Sequence, residues 1–173
     1  NIVHKRMYIT GGVGSSYIGE AFTVDYDLPN KTAYAETCAA IALAMFSSRM
    51  LKFGADSKYA DIVERTIYNG VMSGVSLDGK SFFYENPLEI DPDFNNINTS
   101  TKQKEHFPIT QRLEVFGCSC CPPNILRFVA SVAGFLYGFD EDTVYVHQYM
   151  DSKAQTDSIR ITQKTEYPKN GRI

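Results

Sequence analysis

The sequence contains no tryptophan, only three histidines and only four cysteines in 173 residues. Because tryptophan is absent, aromatic stacking on a ligand would have to use some of the 11 tyrosines or 11 phenylalanines. The histidines His4, His106 and His147 lack the spacing of metal ligands, and we interpret them as structural or surface groups. The reactive side chains are therefore to be sought among the cysteines and carboxylates.

Two further absences restrict the class of protein. Lysine and arginine number 17 against 20 aspartates and glutamates, and this net charge of -3 predicts no binding to nucleic acid. The longest apolar run, near residues 39–46, is too short to span a bilayer, which predicts no membrane insertion. The hydrophobic fraction of 43% and the charged fraction of 21% are typical of a globular protein. The sequence thus predicts a soluble chain.

Neither end of the chain has the features of a natural terminus. The sequence begins at Asn1 without an initiator methionine, and it stops at Ile173 soon after a strand-like run. We therefore expect both ends to be cut, so the lack of a signal peptide says nothing about secretion.

Three segments show apolar residues at the three- and four-residue spacing of a helix. The predicted helices are 38–53, ending before Gly54; 57–71, capped by Ser57; and 122–137, beginning with a proline pair and ending near Gly138. The short connection between the first two predicts a helical hairpin.

Turn and loop signals separate the second and third helices. The segments 75–77 and 81–84 flank Asp78-Gly79, which predicts a β-hairpin. The polar segment 91–111 shows no period, which predicts an excursion loop or a lid.

The pattern changes to alternation near Asp140. Apolar residues alternate around 144–146 and again around 159–161, which predicts strands. The sequence therefore predicts a mainly α region at 1–139 and the start of a β domain at 140–173.

All four cysteines lie in two short segments, ETC at 36–38 and CSCCPPN at 118–124. Thiolates and a carboxylate are ligands that zinc accepts, although the spacing matches no zinc-finger template. The ligand types predict a zinc site formed by Glu36, Cys38, Cys120 and Cys121. A role for Cys118 stays open.

The zinc prediction requires both segments to start helices. Glu36 and Cys38 would lie about 200° apart around a regular helix. A shared ion therefore requires the helix to begin there, with Thr37 as an acceptable cap. The proline pair after Cys121 suits a first helical turn and places the adjacent thiols just before a second helix. Free N–H groups at both helix starts would lower the pKa of the thiols.

Other interpretations of the cysteines stay open. They can be small buried residues at helix starts, or they can pair as two disulfides. Adjacent cysteines rarely bridge each other, however, and the pattern lacks the spread of a secreted disulfide framework. The clustering favours reduced, metal-bound thiols, which predicts a reducing and hence cytoplasmic location.

A glycine-rich turn at 11–14 precedes Glu20. It lacks the lysine of a phosphate-binding loop, and Tyr17 stands where a dinucleotide fingerprint has its third glycine. The glycines would instead let the backbone pass close to a ligand or a neighbouring helix. Glu20 would then line a cleft as a candidate general acid; the alternative is a solvated carboxylate.

Five ordered segments carry the most specific motifs of the chain: MYITGGVGS at 7–15, GEAF at 19–22, YAETC at 34–38, YENPL at 84–88 and CCPPN at 120–124. Together they resemble the beta-L-arabinofuranosidases of glycoside hydrolase family 127. The resemblance spans nearly everything from Arg6 to Tyr137. It implies that the chain is a fragment of an (α/α)6 barrel with a β-hairpin, followed by the first strands of a β-sandwich.

The same resemblance implies a set of site residues and a substrate. It implies zinc as the cofactor, Cys120 as the nucleophile, Glu20 as the acid/base, Tyr84 in the sugar pocket, and four zinc ligands: Glu36, Cys38, Cys120 and Cys121. The substrate would be an L-arabinofuranoside or a related oligosaccharide, hydrolysed with retention. The family's substrate-binding histidines from earlier helices have no counterpart here, so we expect the isolated chain to be inactive. Exposed barrel faces would allow it to self-associate.

Two other functions stay open. The chain can be a non-catalytic, zinc-stabilised structural or carbohydrate-binding module, with four saturated ligands and Glu20 at the surface. A thiol redox protein using Cys118, Cys120 and Cys121 is less favoured, because the spacing is not Cys-x-x-Cys and no thioredoxin-like βαβ pattern surrounds it.

Overall fold

The computed structural model describes residues 1–90, 110–115 and 117–173. The helices in this part of the chain are α1 (Ile2–Lys5), α2 (Thr37–Met50), α3 (Ser57–Arg65), a π-helical segment (Thr66–Val71), a 3-10 turn (Met72–Gly74), α4 (Cys121–Ser131) and a second 3-10 turn (Val132–Phe135). The strands are β1 (Tyr137–Phe139), β2 (Val144–Val146), β3 (Ser152–Gln155) and β4 (Arg160–Gln163). They form two separate antiparallel pairs, β1 with β2 and β3 with β4. The fold is thus partly helical with small antiparallel strand pairs.

Helix α2 lies at the centre of the main core and packs against α3, the π-helical segment and α4. Its buried face is made of small and branched apolar side chains, which allow the neighbouring helices to approach closely. The fully or almost fully buried members of this core are Ala40, Ile41, Ala44, Val63, Ile67, Val71 and Phe128. The periodicity read from the sequence identified the buried face of α3, which includes Ile62 and Val63. It did not identify that of α2, because Phe46, one of the apolar residues in the pattern, is 58% exposed.

The predicted helical hairpin is confirmed by the packing of α2 against α3, but its cap is different. Asp56, not Ser57, is the N-cap of α3, because its backbone is extended and its side chain accepts a hydrogen bond from the Lys58 N–H. Ser57 is the first helical residue. The segment continues to Val71 as predicted, although its last part has π-helical hydrogen bonding.

The predicted β-hairpin at 75–84 is reduced to a single bridge between Val75 and Phe82. Gly79 supplies the left-handed backbone of the turn, with φ of 72°. On its other side, Phe82 exchanges two backbone hydrogen bonds of 3.0 Å with Leu113. A contact remote in sequence thus provides the pairing that the local turn pattern could not reveal.

The predictions of the first and third helices were both wrong at the C-terminal end, since α2 ends at Met50 and not at Phe53. Helix α4 stops at Ser131, and Tyr137 belongs to β1 instead of the helix. Gly134 lies in the 3-10 turn between them, and glycine weakens a helix through its backbone entropy.

The strands predicted around 144–146 and 159–161 are confirmed as β2 and, with a shift of one residue, β4. Their partners β1 and β3 were not predicted. Buried amides connect this region to the helices: Gln148 Nε2 donates to the Ala60 carbonyl at 3.0 Å, and Gln163 Nε2 donates to the Gln148 carbonyl at 3.1 Å.

Several predictions are not tested by this fold. The boundary between 1–139 and 140–173 stays a prediction, as do self-association and cytoplasmic location. Residues 91–109, which make up almost all of the predicted loop or lid, and His106 within them, lie outside the described residues. Within the described ranges, every helix is too short or too polar to cross a bilayer.

Replacing Phe128 by Ala tests the central core. Phe128 is fully buried between helices, so Phe128→Ala should lower the free energy of unfolding by about 3–5 kcal/mol, measured by urea titration. Leu126 lies on the same helix and is 71% exposed, so Leu126→Ala should change it by less than about 0.5 kcal/mol. Equal losses for the two variants would contradict the packing of α4 described above.

Candidate metal centre and active site

The candidate site forms where the N-terminal ends of α2 and α4 meet. Cys38 lies in the first turn of α2, Cys120 is the N-cap of α4, and Cys121 is its first residue. Both helices therefore begin where the sequence required them to begin. The packing of α2 against α4 brings the two ends together.

Three sulfurs and one carboxylate oxygen converge at this point. The Sγ atom of Cys38 lies 3.6 Å from that of Cys120 and 3.5 Å from that of Cys121. Cys120 Sγ lies 3.8 Å from Cys121 Sγ and 3.5 Å from Glu36 Oε1. One ligand atom from each of the four residues lies within 4.8 Å of the others, so the group could hold a metal ion. The structure thus brings together the four residues selected from the sequence.

Glu36 reaches the cluster because it precedes the helix. Its backbone is extended, with φ of −59° and ψ of 137°, and it forms an antiparallel bridge with Glu85. The Thr37 N–H donates to the Tyr84 carbonyl at 3.0 Å. The Asn86 amide continues this connection by donating to the Ala35 carbonyl at 2.9 Å. The segment 84–86 therefore fixes the entry to α2.

Thr37 does not act as the cap that the sequence suggested. It is the first residue of α2, and its hydroxyl donates to the Phe83 carbonyl at 2.8 Å. The cap position belongs to Glu36, which makes no side-chain capping bond. The Glu36 carboxylate therefore points to the thiols instead of to its own helix.

The cluster concentrates acidic groups in a partly buried space. Burial raises the pKa of Glu36 to about 7 and that of Cys120 to about 12. The hydrogen bond between Cys38 and Cys121 lowers the pKa of Cys38 to about 5 and raises the pKa of Cys121. These shifts make Cys38 the most readily ionised of the three thiols.

Tyr84 contacts the cluster from the neighbouring segment. Its side chain is 3% exposed, and its Oη atom lies 3.3 Å from Cys120 Sγ. Burial raises the pKa of the Tyr84 hydroxyl well above its usual range, so the hydroxyl stays protonated and can donate to a thiolate. The ring of Tyr34 packs edge-on against it, with centroids 6.4 Å apart.

Cys118 is exposed and is not part of the four-residue group. A hydrogen bond from the Cys120 backbone N–H, followed by hydrogen bonds with the side chains of Tyr84 and Cys120, lowers the pKa of Cys118. All four cysteines are free thiols, so no disulfide constrains this region.

Glu20 lies on an exposed turn, and an antiparallel bridge between Ser16 and Ala21 joins the two ends of this turn. Its φ of 51° is in the left-handed region, which is unusual for a residue with a side chain. Its Oε1 atom accepts a hydrogen bond of 3.1 Å from the hydroxyl of Tyr34. Glu20 is therefore exposed to solvent but attached to the buried aromatic pair beside Cys120.

The glycine-rich turn packs against a helix. Gly11 has φ of 87°, and a Cβ atom there would lie 3.0 Å from Thr66 Oγ1 in the π-helical segment. The absence of a side chain at Gly11 therefore allows the close approach of loop and helix, as one of the two sequence interpretations expected.

Tyr34 is the site residue that sequence reasoning missed. It is 2% exposed and contacts both Glu20 and Tyr84. Its position in the YAETC motif was the only available signal, because no local rule pairs a tyrosine with a glutamate 14 residues away.

Comparisons with known proteins agree with this arrangement. The family model described as the beta-L-arabinofuranosidase GH127 catalytic domain matches residues 1–134. The non-reducing end beta-L-arabinofuranosidase of Bifidobacterium longum subsp. longum is 42% identical over 176 residues, covering 100% of this chain and 26% of that protein.

Solved structures give the same result. A GH127 beta-arabinofuranosidase is 44% identical with a TM-score of 0.83, covering 99% of this chain and 25% of its own. A GH127 beta-L-arabinofuranosidase from Geobacillus stearothermophilus T6 is 46% identical with a TM-score of 0.83, covering 97% and 26%. The chain thus spans about a quarter of the length of these relatives. By sequence and by structure, this chain belongs to glycoside hydrolase family 127.

Proposed function

We propose that this chain contributes the nucleophile, the acid/base and a zinc site to a retaining glycosidase that releases L-arabinofuranose from beta-linked arabinofuranosides. This proposal rests on one observation: three thiols and one carboxylate come together where the N-terminal ends of α2 and α4 are close to each other. Its relatives are named for beta-L-arabinofuranosidase activity. The substrate would be an L-arabinofuranoside or a related oligosaccharide.

The donor atoms are of types that zinc accepts, and four of their six separations are close to those of a tetrahedral zinc site. In a tetrahedral site with Zn–S bonds of about 2.3 Å, two sulfurs lie about 3.8 Å apart, and a sulfur and an oxygen lie about 3.6 Å apart. The observed sulfur separations are 3.5, 3.6 and 3.8 Å, and Cys120 Sγ lies 3.5 Å from Glu36 Oε1. The other two sulfurs lie within 4.8 Å of the Glu36 oxygen. Glu36, Cys38, Cys120 and Cys121 would hold the ion. When bound, zinc would keep the coordinating thiols ionised at neutral pH.

The proposed reaction uses two displacements. Cys120 Sγ forms a bond to the anomeric carbon while the glycosidic C–O bond breaks and protonated Glu20 gives its proton to the leaving oxygen. A water molecule then attacks the same carbon, the C–S bond breaks, and ionised Glu20 takes the proton from that water. The sugar leaves with its original anomeric configuration because it is inverted twice.

Tyr84 would assist the nucleophile and contact the sugar. Its hydroxyl lies 3.3 Å from Cys120 Sγ and can donate a hydrogen bond to the thiolate, both before attack and when sulfur leaves. Because the ring is buried, the position of this donor is fixed before substrate binds.

The proposed architecture follows from the family. Residues 1–139 would supply the later part of an (α/α)6 barrel, and residues 140–173 would begin a β-sandwich. The packing of α2 against α3 and α4 supports the first part of this proposal. The strand pair β1–β2 spans the proposed boundary, because β1 lies before residue 140.

A non-catalytic zinc module is the second candidate function. Glu36 and Cys121 are buried, and four donors would saturate a tetrahedral ion, as in structural zinc sites. In that case Cys120 would contribute to folding, and its replacement would affect stability without a separate effect on hydrolysis.

Substituting Cys120 by serine separates the two candidates. In the protein as its gene encodes it, Cys120→Ser should lower the hydrolysis of an aryl beta-L-arabinofuranoside by at least about 1,000-fold, because the hydroxyl is a far weaker nucleophile than a thiolate. Zinc content, measured by elemental mass spectrometry, should stay near one per chain.

The matched control is Cys118→Ser, the same change at an exposed thiol that is not among the four donors but hydrogen-bonds with Tyr84 and Cys120. It should retain activity within about threefold, because the serine hydroxyl can still hydrogen-bond with these two side chains. Detection of a sugar on the Cys120 peptide of the unsubstituted protein would support the covalent step. Full activity of Cys120→Ser would contradict the proposed nucleophile.

Zinc binding should release protons and strengthen as the pH rises. The metal-free site holds protons on Cys120, whose pKa is about 12 through burial, and on Cys121, whose pKa is raised by its hydrogen bond with Cys38. Glu36, whose pKa is about 7, is partly protonated at neutral pH and would release a further fraction of a proton when zinc binds. We expect about two or more protons released per zinc at neutral pH, and a gain of about tenfold in affinity per pH unit for each proton.

Titration calorimetry in buffers of different ionisation enthalpy measures this proton count. Glu36→Gln should release fewer protons, whereas Cys118→Ser should match the unsubstituted chain. Affinity that is independent of pH would show that the thiols are not the ligands.

A further inference from the structure

The orientation of the Glu20 carboxylate depends on one buried side chain. Glu20 is exposed on a turn, and its Oε1 accepts the 3.1 Å hydrogen bond from Tyr34. Within residues 1–90, 110–115 and 117–173, no other side chain hydrogen-bonds to this carboxylate. An exposed glutamate without such a bond would sample several rotamers.

Tyr34, in contrast, is held rigidly. It is 2% exposed, its N–H donates to the Ser15 carbonyl at 3.3 Å, and its carbonyl accepts from the Asn86 N–H at 3.2 Å. Its ring packs edge-on against Tyr84. The phenol hydroxyl is thus a fixed donor at the edge of an otherwise exposed turn.

We infer that Tyr34 is a positioning residue that orients Glu20 for proton transfer; this inference rests on the function proposed above. The Tyr34 hydroxyl can donate to Oε1 in both protonation states of Glu20, because the carbonyl oxygen of a protonated carboxyl group is also an acceptor. The exchangeable proton therefore resides on Oε2. Oε2 would deliver the proton to the leaving oxygen and later take it from water.

The same tyrosine connects the acid to the nucleophile. Tyr34 contacts Tyr84, and Tyr84 lies 3.3 Å from Cys120 Sγ. The buried rings of Tyr34 and Tyr84 therefore fix the position of the acid/base carboxylate relative to the thiol of the nucleophile, although these two groups lie on different segments of the chain. General acid catalysis is sensitive to such alignment, because the proton must move as the C–O bond breaks.

Tyr34→Phe removes the hydroxyl and keeps the ring. Its effect should depend on the leaving group, because a poor leaving group needs the proton and a good one does not. We expect kcat/KM in the protein as its gene encodes it to fall about 10- to 100-fold for an alkyl or unsubstituted phenyl beta-L-arabinofuranoside. For a dinitrophenyl arabinofuranoside it should fall less than about threefold.

The matched control is Tyr8→Phe. Tyr8 is equally buried, and its hydroxyl donates to the Pro29 carbonyl, away from the cluster. This variant should lower kcat/KM equally, if at all, for every leaving group. Thermal unfolding and zinc content should be measured for both variants, so that a general loss of folding is recognised.

Glu20→Gln distinguishes failure of this inference from failure of the proposed function. If Glu20→Gln shows the steep dependence on leaving group and Tyr34→Phe does not, the positioning role of Tyr34 is wrong and the proposed function stands. If Glu20→Gln shows no such dependence, Glu20 is not the acid and both fail. A steep dependence for both tyrosine variants would also overturn the inference.

Discussion

The packing of α2 against α4 is the contact on which the candidate site depends. Ile41 and Phe128, both fully buried, lie in the core that joins these helices, and the helix starts meet at one end of it. Donor atoms at 3.5–3.8 Å tolerate little displacement, since a metal ion or a hydrogen bond requires its ligands within a few tenths of an ångström. Packing in this hydrophobic core therefore sets the distances between the donor atoms, although the donor residues are not members of it.

A second constraint is the burial of acidic groups. Glu36 and Cys121 are almost completely removed from water, and burial disfavours their charged forms. A divalent cation would offset that cost, which connects folding of the site to metal binding. Glu20 lies in a different environment, exposed and at the end of a tyrosine side chain. The proposed ligands Glu36 and Cys121 are thus shielded from solvent, whereas the proposed acid/base can exchange protons with solvent.

Local patterns predicted the helices well and the strands less well. The apolar periodicity of α3 reports its own buried face, so it could be read without knowledge of partners. Helix α2 also has apolar residues at exposed positions, such as Phe46, so its pattern alone did not reveal which face is buried. Strands β1 and β3 are short, and each is defined by its partner instead of by its own sequence. The hairpin at Val75 is likewise shaped by a partner that is remote in sequence, because the backbone of Phe82 also pairs with Leu113.

The sequence by itself determined which residues can act as ligands and where their helices begin. A proline pair after Cys121 and the two-residue spacing of Glu36 and Cys38 carry that information locally. Only the tertiary structure brought the two segments together and paired Tyr34 with Glu20, since these contacts join residues that no short-range rule connects. Donor types are a property of the residues, whereas distances and burial arise from the packing of the whole chain.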